Sequence, residues 1–425
     1  MAIKSTAEQL LALIDSDRIL ALEQSLIRIP SSHFQEQAIA DYLADYMSAL
    51  GLDVEMMTVP HPYDSSIPDS RQPIGRLTGK GGGQCLMLNA HMDPGVEMTG
   101  WSVDPYAGLY EDGWVWGMGS HDDKGGIAVA LGAVEAVIKS GIELTGDVLV
   151  CPVVAHKLGG AGTRALLAHG VTADLCINLE HSANTIASVA VGMIRGKIKT
   201  TSGDLFFRYS DEAKSNYFNP IEQQALIMQR MGPSLDAIEP GGWLSFQPHV
   251  DLPGFPKIMF DAIVKDHYYY ASRSDLTTRE CELYFQIRTV PGMTLESART
   301  DVERLLAGIH EQYPAFQSEL TMPVFDTDGW LQDPVDLRPD DPLVKALANG
   351  HTLAAGTEPA IGGVLRIGNV GDGNILHAAG IPSIQYGPGD IRLYDEWPSP
   401  DERVLLEDLV TAAGAVSIAI TELCA

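Results

Sequence analysis

Cysteine is scarce in this 425-residue chain: five residues, Cys85, Cys151, Cys176, Cys281 and Cys424, scattered and odd in number. Most sit inside apolar runs, which excludes a disulfide framework and fits reduced core residues in a cytosol. Cations are also few. Lys and Arg number 28 against 56 Asp and Glu, a formal charge of −28. That balance argues against nucleic acid and against an anionic membrane surface as partners. No apolar run reaches the ~20 residues that span a bilayer, and no hydrophobic leader follows the first residues. These absences predict a cytoplasmic protein with no membrane partner. Internal repeats and low-complexity tracts are missing too, while 45% of residues are apolar, enough for substantial cores. The length exceeds what one core usually serves, so two domains are expected.

What is present is concentrated in residues 88–126. LNAHMD places His91 and Asp93 at the end of a short apolar strand expected over 85–89, and SHDDKGG places Asp122 and Asp123 just before an apolar helix. An imidazole and a carboxylate bind a transition metal directly, and a second carboxylate orients the ring. Strand ends of open α/β sheets are where such sites collect. The plainer alternative is a loop whose acids cap a helix and face its positive end. We adopt it for Asp123 and not for His91 or Asp122.

Helical periodicity runs over 17–29 and over 35–50, the latter closed by Gly51 as a C-cap. Strands are expected over 54–59, 74–78, 147–154 and 174–179, with helices over 127–140 and 163–169. The alternation predicts an α/β domain with a largely parallel sheet flanked by helices. Near Gly192 the pattern changes to strands over 193–201, 257–264, 280–290 and 317–323 with helices over 220–231 and 295–313. This is an α+β unit over 192–325, inserted into a domain made of 1–191 and 326–425. The α/β pattern returns with a helix over 342–355, a strand over 383–386 and a last helix over 403–423.

The motifs HMD (91–93), W-x-x-D-P (101–105), G-x-G-x-x-D-x-K-G-G (117–126), G-G-x-G (159–162), IRTVPG (287–292), GIPSIQYGPG (380–389) and PDE (400–402) follow in that order. On them the chain resembles the metallo-aminoacylase and carboxypeptidase family of acetylornithine deacetylase and succinyl-diaminopimelate desuccinylase. The resemblance implies a catalytic α/β domain and an inserted lid that joins chains into a homodimer or higher homo-oligomer. It also implies a site for two zinc-like ions served by a glutamate base. His91 matches the first metal's histidine, Asp122 the bridging aspartate and Glu180 the first metal's carboxylate. The other half departs from the family. The paired glutamates before G-G-x-G, one the base and one a ligand of the second metal, fall at His156 and Lys157. The last histidine ligand falls at Asp395, or at Pro398 if the gap lies elsewhere. The lid histidine that steadies the oxyanion has no counterpart; Phe206, Phe207 and Arg208 occupy its neighbourhood.

The resemblance with these departures implies one divalent transition metal, manganese or zinc, on His91, Asp122 and Glu180; nitrogen and oxygen donors also admit iron and cobalt. Asp93 would hold His91 in its ligating tautomer, and His156 would move the proton. Lys157 would supply the second cation's charge, paired with Asp395 across its place. Arg288 matches the lid arginine that grips a substrate carboxylate; a salt bridge on the strand surface is the equal alternative. Tyr394, or a tyrosine of the 267–270 run, would reach an open metal position. His181, next to Glu180, is expected to face the other way on an extended strand. His121 reads as a surface loop residue and His377 as structural. The implied function is hydrolysis of a C–N bond in a small carboxylate-bearing substrate. It is either amide deacylation or removal of an aromatic amine, as in the nitroanthranilate aminohydrolase branch, and the phenylalanines favour an aromatic ring. Two alternatives stand beside it: an inactive member that binds or scaffolds, and a metal-free enzyme using Lys157 as nucleophile or base, which needs a lowered pKa.

Overall fold

The computed structural model describes residues 2–202, 217–265, 279–324, 331–363, 370–395 and 398–425. The chain forms two compact units, Met1–Val189 with Val335–Ala425, and Ala190–Pro334. The second boundary falls later than the expected 325/326 because Leu331–Gln332 pairs with Gly192–Thr201.

The first unit is built on a nine-stranded sheet. Its middle strands run in the order Val148–Val153, Leu86–His91, Leu175–Asn178, Ser383–Gln385, all parallel. The antiparallel pair Asp53–Val59 and Ser70–Leu77 extends one side. The first three parallel strands are buried at every position, as strands covered on both faces must be. Helix Lys124–Ser140 packs beneath them with helices Ser16–Ile27 and Leu406–Cys424. Gly132 permits the close approach: a Cβ there would meet Ile19 at 2.9 Å and Ala413 at 3.6 Å.

Register decides where function can sit. His91 lies beside Val153, Asn89 beside Asn178, and Gln385 beside Asn178. The segments that follow these strands therefore leave the sheet along one edge.

Arg403–Leu405, expected as helix, is a strand paired with Trp114–Trp116, which also pairs with Leu109–Glu111. The Arg403 guanidinium stands over the Trp116 and Trp114 rings at 4.5 and 5.2 Å, a cation–π contact that periodicity does not register. The helix starts at Leu406 instead.

The described residues of the second unit form an antiparallel five-stranded sheet with two helices. Its strands run Lys257–Lys265, Glu280–Thr289, Gly192–Thr201, Ser318–Thr321, with Leu331–Gln332 added to Gly192–Thr201. Helix Pro220–Met231 starts at an Asn219 cap with proline in its first turn, and Leu295–Gln312 starts at a Thr294–Ser297 capping box, both strong start signals. Phe206, Phe207, Arg208 and the 267–270 run lie outside the described residues. All five cysteines are free thiols. Among the described residues no helix is long and apolar enough to cross a membrane.

Candidate metal centre

The site stands on two backbone frames. The loop after Gly117 is gripped by Glu402, whose carboxylate accepts from the amides of Gly119, His121 and Asp122 at 2.9, 2.9 and 3.0 Å. Burial lifts Glu402 to about 7. The turn after strand Val148–Val153 is held amide by amide. Val154 N donates to Gln72 Oε1, Ala155 N to Glu36 Oε1, His156 N to Asp93 Oδ1 and Lys157 N to Asp93 Oδ2, at 2.9–3.2 Å. Ala155 sits at φ +51°, the left-handed region that reverses the chain.

Between these frames lie buried charges of both signs. Lys157 Nζ donates to both Asp122 oxygens at 2.8 and 3.0 Å. His91 Nε2 lies 2.8 Å from Asp122 Oδ1. Burial alone would push Asp122 up, but Lys157 and His91 hold it well below the usual carboxylate range. The same charges act in reverse on Lys157: burial opposes its ammonium, and Asp122 and Glu180 push it up regardless.

His156 is bracketed by acids. Its Nδ1 lies 2.9 Å from Asp372 Oδ2 and its Nε2 3.4 Å from Glu180 Oε1. Burial opposes its charge, yet Asp372 and Glu180 lift it to about 9. Its ring stacks on His91 with centroids 4.2 Å apart and an interplanar angle of 7°.

Whether this cluster suits a metal can be tested on His91. A carbonyl only accepts, so Nδ1, 2.8 Å from Asp93 O, must carry its hydrogen. The neutral ring then points its Nε2 lone pair at Asp122 Oδ1. Two acceptors that close require a proton on the ring or a cation between them. Ligand atoms of His91, His156 and Glu180 lie within 4.8 Å of one another, as do those of Asp122, Glu180 and His181. Imidazoles and carboxylates in this number suit a divalent transition ion. The residues fit one.

Several sequence-based expectations need correction. Asp93 does not orient His91 through its carboxylate, which lies 3.8 Å from Nδ1; the Asp93 carbonyl does so. The carboxylate instead holds the 156–157 turn and the ring of His33, whose Nδ1 is 2.9 Å from Oδ2. Burial would raise Asp93, but His33 and the neighbouring imidazoles keep it lowered. Lys157 pairs with Asp122 rather than Asp395, and Asp395 is exposed; matching by offset from GPG misplaced it. Tyr394 spends its hydroxyl on the Arg403 backbone, donating to O at 3.2 Å and accepting from N at 2.9 Å. His121 is fully buried, with its ring 4.5 Å from that of His181. Asp123 makes no side-chain cap; its Oδ2 accepts from His91 N at 3.1 Å.

Arg288 lies on strand Glu280–Thr289 of the second unit, where burial and then Arg195 lower it to about 10 against the pull of Asp261. His377 is half-buried on helix Asp372–Ala378. Sequence reasoning missed Asp372, His33, Gln72 and Glu36. An acid in the first turn of a helix is a weak signal for Asp372, and nothing local marks the other three.

A model described as peptidase family M20/M25/M40 matches residues 87–422. An N-formyl-4-amino-5-aminomethyl-2-methylpyrimidine deformylase of Halalkalibacterium halodurans is 27% identical over 99% of this chain and 98% of its own length. The deformylase of that name from Bacillus subtilis is 27% identical over 88% of this chain and 86% of its own. A succinyl-diaminopimelate desuccinylase of Methylobacterium nodulans is 36% identical over 28% of this chain and 29% of its own. Among solved structures, a tripeptidase of Staphylococcus aureus superposes with a TM-score of 0.72 at 18% identity, covering 96% of this chain and 99% of its own. A Bacillus subtilis protein described as a dinuclear metal-binding peptidase gives 0.66 at 15% identity, covering 96% and 98%.

Proposed function

This chain belongs to peptidase family M20/M25/M40 and is a hydrolase of amide- or peptide-type C–N bonds; on that premise we propose a narrower reading. One divalent metal ion is held by His91, Asp122 and Glu180, and the enzyme deacylates a small carboxylate-bearing substrate built on an aromatic ring. The observation that carries the one-ion reading is the Lys157 ammonium on both oxygens of Asp122. A buried carboxylate so paired already has its charge matched. The ammonium stands in for the second ion that a bridging aspartate would otherwise share.

When bound, the ion supplies Lewis acidity and activates water at neutral pH. His91 is turned to it by the Asp93 carbonyl. The fixed charge of Lys157 stabilises negative charge that develops on the acyl oxygen. His156, with Nδ1 2.9 Å from Asp372 Oδ2, would carry a proton at Nε2 for the leaving nitrogen. That is an acid's task rather than the base's task expected from its position. A nucleophilic Lys157 would need its ammonium destabilised, and Asp122 does the reverse.

Arg288, a guanidinium with Nη1 buried, suits a carboxylate. The aromatic preference is supported by the N-formylated aminopyrimidine named for the two full-length relatives. The test is metal-loaded protein against N-formyl and N-acetyl aminobenzoates, the free aminobenzoates, formylated aminopyrimidines and aliphatic N-acyl amino acids. We expect aromatic N-acyl compounds to lead by at least ~10-fold, the low end of what a ring pocket discriminates, with one ion per chain. Turnover confined to aliphatic substrates overturns the aromatic preference. Ammonia released from the free aminobenzoates, with no deacylation of the N-acyl compounds, moves the reaction to deamination, and two bound ions overturn the one-ion reading.

A further inference from the structure

The strand that leads to Glu180 stops early. Leu175–Asn178 ends two residues before it, so Leu179–Ser182 has left the pleat and side-chain alternation no longer applies. A second segment clamps the stretch. Gln385 Nε2 donates to His181 O at 2.7 Å and Ser182 N donates to Gly387 O at 3.1 Å. Gly387 comes so near that a Cβ there would lie 2.1 Å from Leu179 O. The consequence is that Glu180 and His181 both serve the same buried cluster.

His181 is 4% exposed, and its Nδ1 lies 4.0 Å from Asp122 Oδ1. That separation is too long for a hydrogen bond. It is one that a single ion with ligand bonds of ~2.0–2.2 Å can span. Ligand atoms of Asp122, Glu180 and His181 form one group within 4.8 Å. The ring has a built seat. His121 packs on it at 4.5 Å and Tyr394 meets His121 edge-on at 5.6 Å. Gly389 leaves His121 its room, since a Cβ there would lie 2.5 Å from its Nδ1.

His156 is the rival donor, and geometry weighs against it. Its ring is parallel to that of His91, so the two in-plane lone pairs run side by side and do not converge. Both its nitrogens also face carboxylates.

We infer that His181 is a ligand of the metal ion, supplied from the same loop as Glu180. This rests on the one-ion site proposed above. The ion then has two imidazole ligands, His91 and His181, where His91, Asp122 and Glu180 alone would give one.

X-ray absorption of the metal-loaded protein counts those imidazoles, and competition with a chelator gives affinity. Wild type should show two imidazoles. His181→Ala should show one, with affinity weakened beyond the ~10–100-fold that loss of an outer hydrogen bond costs. His156→Gln should keep two. One imidazole in wild type overturns the inference without any variant having to fold. So does a count that falls in His156→Gln, or wild-type affinity in His181→Ala. Glu180→Ala, run alongside, separates the two readings. If it releases the ion while His181→Ala behaves as wild type, the one-ion site stands and only the role of His181 falls. Two ions or none in wild type removes the site reading itself.

Discussion

The loop at Gly119–Asp122 and the turn at Val154–Lys157 are built alike and charged oppositely. Each has its amides accepted by buried side chains: Glu402 for the loop, Gln72, Glu36 and Asp93 for the turn. The loop presents an anion, Asp122; the turn presents two cations, His156 and Lys157. Asp93 grips His156 and Lys157 through their backbone amides and not through their side chains. The scaffold therefore does not depend on the sign of charge it presents, and acids can give way to cations at 156 and 157 while the turn stays put.

The largest effect should come from removing what both frames face. Glu180→Ala should release the ion and cut turnover about a thousandfold or more, the several kcal/mol of Lewis-acid stabilisation. Metal analysis and kinetics on one preparation check this; full occupancy would show that Glu180 is not a ligand. Next is the charge pair between the frames. In metal-free protein, Lys157→Met leaves Asp122 buried without its ammonium partner and should cost ~3–5 kcal/mol, read by urea unfolding. Lys157→Glu should instead let a second, weakly held ion bind, visible as a second step in a metal titration.

The turn's charge should also appear in pH dependence. His156 is raised from 6.5 to about 9, so the folded chain binds the extra proton between those values. Its stabilising effect is full below 6.5 and is lost as pH rises through about 9. Metal-free wild type should lose up to ~3 kcal/mol between about pH 6 and pH 10. His156→Gln should flatten that part of the profile. The smallest effects concern the frames. Asp93→Asn and Glu402→Gln each replace an acceptor oxygen by a donor and should cost ~1–3 kcal/mol. Hydrogen exchange should then quicken at residues 156–157 in the first and at 119–122 in the second. Exchange that quickens in both segments in either variant would mean the frames are one unit.

That His91, Asp122 and Glu180 come together was legible because each sits in a short motif whose neighbours fix its place: a strand end, the residues before a helix, the loop after a second strand. The parallel strands were legible as unbroken apolar runs. The partners were not. Asp372 meets His156 across 216 residues and Glu402 meets Asp122 across 280; no local pattern encodes such pairings. His181 was misread because alternation was carried past Asn178, where the strand stops. Asp395 was misread because an offset from a motif is not a position in space.

The Glu402 grip also sets an order of events in time. On a ribosome, residue 402 is made 280 residues after Asp122. Until then the nascent chain carries His91, Asp122, Lys157 and Glu180, while three amides of the Asp122 loop lack their acceptor. Ion capture in the finished geometry is thus deferred until the first unit's two sequence segments have met. A half-made chain offers a stray cation only an unfinished grip.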